Sequence, residues 1–176
     1  MKKFLLVFFV AMLAGCMQNT TNVGKSQVDR SQLMLVSSDE INEASAKAYS
    51  DVIAQAKASN TLNKDSKLTK RVRDISNKLI AKAPYFREDS AKWNWEVNVI
   101  TSDTINAWCM AGGKIAVYTA IVEKLKLNDD EIAFILAHEI AHALREHVRE
   151  QQSQELVKNG LISVASMFGV DNTILG

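Results

Sequence analysis

Proline is almost absent: Pro84 is the only one in 176 residues. This excludes a proline-rich linker between two domains, and the length suits one domain with additions. Charge of one sign is also missing. The 21 basic and 20 acidic residues leave a net charge of +1. No basic excess exists to release counterions from nucleic acid, so nucleic acid is set aside as a partner. Cysteine is limited to Cys16 and Cys109 and histidine to three residues, so any disulfide or metal site draws on very few side chains. What remains is a globular balance, 47% hydrophobic and 23% charged.

The first residues differ from the rest. Met1-Lys2-Lys3 is a short positive segment, and Phe4 to Leu13 is a continuous apolar run. The run falls short of the roughly 20 residues that span a bilayer and fits the apolar core of a secretory signal. It closes on Leu13-Ala14-Gly15-Cys16, which resembles the bacterial lipobox. Residues 1–16 are therefore expected to be a lipoprotein signal peptide with Cys16 as the lipidated residue. Residues 17–37 are expected to be a flexible tether, and residues 38–176 the folded domain. Met17 stands where aspartate would, by resemblance to the sorting rule, retain a lipoprotein at the inner membrane. This implies a lipid anchor in the outer membrane facing the periplasm. With Cys16 lipidated, Cys109 has no disulfide partner, and its apolar surroundings predict burial.

The remaining pattern reads as α+β, mostly helical with a small sheet. Ser37 with Glu40, and Asn128 with Glu131, have the spacing of capping boxes. They predict helices from Asp39 to about Ser59 and from Asn128 to about Val157. A helix from near Asp65 follows from Leu68, Val72, Ile75 and Leu79, and it should end before Pro84. Trp93, Trp95, Val97 and Val99 alternate with polar residues, as in a half-buried strand. Residues 106–113 read as a connection ending in Gly112-Gly113, before a second strand around Ile115 to Tyr118.

The chemistry lies in His138-Glu139-Ile140-Ala141-His142. Residues four apart sit about 40° apart around a helix, so two imidazoles can converge on one metal ion. Neutral imidazole suits zinc, and Glu139 beside the metal can take a proton from a zinc-bound water. Chance gives such a motif in roughly 0.3% of chains of this composition. His147 falls about 180° from His138 if the helix stays regular, which assigns it a structural role. Arg145, Glu146, Arg149 and Glu150 read as a solvated charged face.

Two blocks, Asn106 to Tyr118 and Asp130 to His142, resemble the HtpX and CAAX-prenyl-protease type of zinc metallopeptidase (peptidase family forty-eight), with periplasmic lipoprotein members the nearest fit. The resemblance implies a zincin-like fold, one Zn2+ per chain, His138 and His142 as metal ligands and Glu139 as general base. It further implies an edge strand of Gly113, Lys114, Ile115, Ala116 and Val117, to which an extended substrate adds. Unfolded or damaged cell-envelope proteins are the substrates it implies. The family's third ligand, a glutamate in a Glu-x-x-x-Asp pattern on a later helix, has no counterpart after His142. The expected product is a metalloendopeptidase domain incomplete at its C-terminal end. The alternative is an inactive, lipid-anchored protein-binding module.

Overall fold

A computed structural model describes residues 17–22 and 30–167, with side chains through residue 160. The lipidation site Cys16 and the signal segment lie outside the described residues. The fold is α+β and mostly helical. Its elements run β1 (Met17–Gln18), β2 (Gln32–Leu33), α1 (Ser38–Ala58), α2 (Ser66–Ile80), α3 (Ala83–Phe86), a 3-10 turn (Glu88–Lys92), β3 (Glu96–Ile100), β4 (Ala107–Met110), β5 (Lys114–Tyr118), α4 (Thr119–Glu123), α5 (Asp129–Leu144) and α6 (His147–Met167). Among the described residues no helix is long and apolar enough to cross a membrane.

The helix starts form as their sequences dictate. Ser37 Oγ accepts from Glu40 N–H, and the Glu40 carboxylate accepts from Ser37 N–H. Asn128 and Glu131 make the same reciprocal pair at α5, with Asp129 and Asp130 in the first turn where the helix dipole favours them. Asp65 caps α2 through Leu68 N–H. Each pair satisfies backbone donors that the helix itself leaves free.

The sheet corrects the expected edge strand. Its order is β3-β5-β4, with β5 parallel to β3 and antiparallel to β4. Lys114, Ile115, Ala116 and Val117 therefore form the central strand, and all four are buried. A strand buried on both faces loses the polar alternation of an edge, and Ile115 and Ala116 are fully enclosed. The edge beside α5 is instead β4, in a stretch whose sequence reads as a connection.

Gly112 and Gly113 make the turn between β4 and β5, with φ of +73° and +81°. A Cβ on Gly113 would lie 2.6 Å from the Trp95 ring. The turn and the close backbone approach are thus both present, the approach being to Trp95. One face of the sheet packs through Val99, Ile115 and Val117 against Val72 and Ile75 of α2 and Ile132, Leu136 and Ile140 of α5. Burying each such side chain contributes about 1.5–3 kcal/mol, which fixes α5 firmly against the sheet.

Two further expectations are corrected. The long helix does not reach Val157: α5 stops at Leu144 and α6 starts at His147. The tether assigned to 17–37 is docked in its later part. Arg30 and Gln32 bond the Glu150 carboxylate, Leu35 and Val36 N–H groups donate to Ser153 Oγ, and Arg149 donates to Val36 O. These polar pairs tie down the segment because a buried partner left unsatisfied would be costly.

Candidate metal centre

The buried stripe of α5 is Ile132, Leu136, Ile140, Ala143 and Leu144. Helical geometry puts His138 and His142 on the opposite side, where His138 is exposed and His142 half-buried. Their Nε2 atoms face each other at 2.9 Å. Two imidazole nitrogens aimed at one point on an accessible helix face suit a borderline-soft divalent metal such as zinc. The pair therefore fits as two of a metal's ligands. Among the described residues no group of three or more His, Cys, Asp or Glu side chains converges to hold an ion.

Glu139 is half-buried beside the pair, on the side of β4. Burial, and then the charge of Glu139, pushes the Cys109 thiol of β4 well above its usual range. The thiol is half-buried and packed against the core, which agrees in part with the burial expected of it. Tyr118 N–H donates to Asn106 O. The alternation of an antiparallel ladder then turns the backbone N–H and C=O of Ala107 and Cys109 to the open side of β4.

The far end of the site is a helix break. Glu146, with φ of +49°, occupies the left-handed position that commonly ends a helix and is usually glycine. Its carboxylate takes the place of glycine's freedom as the stabilising feature. It accepts from Ser38 Oγ at 2.5 Å, pairs with Arg149 at 2.8 Å and with Arg87 at 3.3 Å. Burial opposes its ionisation, but the bonds from Ser38 and Arg149 and the charge of Arg87 carry its pKa below the ordinary value. Arg87 Nη1 also caps Leu144 O, and Gln32 Nε2 caps Arg145 O. The charge run read as a solvated face is a buried network at Glu146 and Glu150.

The break moves His147. Its Nδ1 lies 2.5 Å from His142 Nδ1, whereas a regular helix would set it about 180° from His138. Its Nε2 is buried with no partner among the described protein atoms. Burial, and then the charge of His142, lowers the pKa of His147. Only the helix break reveals this neighbour, and no sequence signal marked it. Beside Ala137 and Ala141 a groove of about 280 Å³ opens, with Leu79, Ala83, Phe86 and Leu144 on its walls.

An α+β domain thus carries two imidazoles and a carboxylate on one helix, beside an open strand. The chain belongs to peptidase family M48, which it matches over residues 66–174, a family that uses a metal, usually zinc. It is similar to Metalloprotease YcaL of Escherichia coli (strain K12), 31% identical over 163 residues that cover 91% of this chain and 60% of that protein. It is also similar to Mitochondrial metalloendopeptidase OMA1 of Arabidopsis thaliana, 38% identical over 63 residues, 36% of this chain and 13% of the relative. Beta-barrel assembly-enhancing protease of Yersinia pestis is 28% identical over 103 residues, 58% of this chain and 20% of the relative. The chain thus spans 60% or less of the length of these relatives. No solved structure matches.

Proposed function

We propose that this protein is a zinc-dependent endopeptidase of the cell envelope, of the HtpX and CAAX-prenyl-protease-like lipoprotein type. It would be anchored through Cys16 to the outer membrane facing the periplasm, and would cleave unfolded or damaged envelope proteins. The observation that carries the chemistry is the Nε2–Nε2 approach of His138 and His142 with Glu139 beside them. These imidazoles would hold the metal, which supplies a Lewis acid for the scissile carbonyl and a more acidic water. Glu139 takes the proton as the water oxygen bonds to the carbonyl carbon. It returns that proton to the amine as the C–N bond breaks.

Substrate strand addition falls to β4 rather than β5. The outward backbone groups of Ala107 and Cys109 offer two donors and two acceptors to an extended chain, as strand addition requires. The groove beside Ala137 and Ala141 suits an apolar side chain next to the cleaved bond. Both features favour unfolded chains, which present extended backbone and apolar side chains together. One relative is named for enhancing β-barrel assembly, and unassembled barrel strands have these properties.

The test measures zinc per chain and cleavage of unfolded casein, with and without chelator, for the wild type and Glu139→Gln. The expected result is chelator-sensitive cleavage that falls about 10²–10⁴-fold in the variant while zinc is retained. Equal cleavage by wild type and variant would remove Glu139 from the mechanism. Absence of both zinc and cleavage would make the open β4 edge a binding surface without chemistry.

A further inference from the structure

The pair of ligands accounts for two histidines, and the third stands against one of them for a reason that metal binding supplies. An imidazole that bonds a metal through Nε2 carries its hydrogen on Nδ1. That N–H needs an acceptor, and the identity of the acceptor fixes both the tautomer and the tilt of the ring. In the structure the atom facing His142 Nδ1 is His147 Nδ1, at 2.5 Å. The two rings meet at 73° with centroids 4.7 Å apart, an edge approach that directs one nitrogen onto the other. On the far side, His142 and His138 meet at 83° with centroids 4.5 Å apart. His142 is thereby held from both ends.

We propose that His147 is a positioning residue: its Nδ1 accepts the Nδ1–H of His142 and so presents His142 Nε2, free of hydrogen, to the metal. The assignment rests on the metallopeptidase reading above. It also gives the helix break a function. Were α5 to continue regularly past Arg145, the His147 ring would lie on the far side of the helix from the ligands. The left-handed turn at Glu146 brings it back, and Ser38, Arg87 and Arg149 hold that turn from three separate stretches of the chain. Gln32, on the segment before α1, reaches the same region through Arg145 O and Glu150. The fold thus brings Gln32, Ser38, Arg87 and Arg149 together to place one imidazole against His142.

Zinc affinity of the full chain in mild detergent, measured by competition with a chromogenic chelator, tests this. The variants are His147→Leu, His147→Asn and His147→Gln. The amide oxygen of asparagine can stand where Nδ1 stands, and that of glutamine reaches one bond too far. His147→Leu and His147→Gln are expected to bind zinc about 10–100-fold more weakly, and His147→Asn to stay near the wild type. A role in packing alone does not separate asparagine from glutamine, and thermal unfolding of the metal-free proteins reports packing separately. If leucine fails to fold, the asparagine–glutamine comparison decides. Wild-type affinity in His147→Gln, or equal weakening in His147→Asn and His147→Gln, overturns the assignment alone. No zinc binding by the wild type overturns the metallopeptidase reading and this assignment with it.

Discussion

The hydroxyl of Ser38, at the start of α1, donates to Glu146 Oε1 at 2.5 Å across 108 positions of sequence. It joins α1 to the turn that separates α5 from α6. Arg87 and Arg149 complete the ring around this carboxylate, which is 7% exposed. The turn is therefore stabilised by contacts made only in the folded chain, since its left-handed backbone is unfavourable for a residue other than glycine.

Glu146→Gln is expected to destabilise the protein by about 3 kcal/mol, because the largely buried Arg149 guanidinium loses the carboxylate it pairs with and Arg87 is left with Asp89. The pH dependence carries the signature. The folded-state pKa of Glu146 lies below its unfolded value. Its contribution is fully present above the ordinary glutamate range of about 4.3 and is lost as pH falls through the lower folded value. Urea unfolding should show a constant gap between wild type and variant above pH of about 5 that narrows on acidification. A gap independent of pH would mean that packing, not charge, makes Glu146 matter.

Much of this architecture is legible in the sequence. Ser37 with Glu40 and Asn128 with Glu131 announce their helices because capping is local chemistry, and His138 and His142 share a face because helical spacing is fixed. The break at Glu146 is not legible. A left-handed helix end is normally written as glycine, and here it is held by Ser38 and Arg87 from distant parts of the chain. Strand order is hidden for a similar reason: β5 becomes central only because β3 joins it in parallel from the other side. The four residues of β4 lie in a stretch whose sequence reads as a connection ending in a glycine pair, and their pairing with β5 is a tertiary fact.

Gly113 tests the turn that sets β4 against β5. Its φ of +81° and the 2.6 Å approach of a hypothetical Cβ to the Trp95 ring both oppose a side chain. Gly113→Ala is expected to cost about 2 kcal/mol or more, read as a lower denaturant midpoint. Gly112→Ala, with only a distant contact at 3.9 Å to Asn42, should cost about 1 kcal/mol through the backbone alone. Equal costs at the two positions would show that the approach to Trp95 carries no weight.

Cys109 separates the backbone of β4 from its side chain. Burial and the nearby charge of Glu139 hold the thiol in its neutral, unreactive form, so Cys109→Ala should leave casein cleavage within about 2-fold. The N–H of the same residue faces the open side of the strand, where an incoming chain would accept it. Proline is tolerated at edge positions whose N–H points away from the sheet. Cys109→Pro should therefore keep the fold while removing one hydrogen bond to substrate. A bond of about 1–1.5 kcal/mol corresponds to a loss of roughly 10-fold in kcat/KM. Circular dichroism establishes that the sheet survives, and kinetics on unfolded casein measure the loss. Full cleavage by a folded Cys109→Pro protein would show that substrate does not add to β4 at this position, and the groove beside Ala137 and Ala141 would then be left as the surface that holds it.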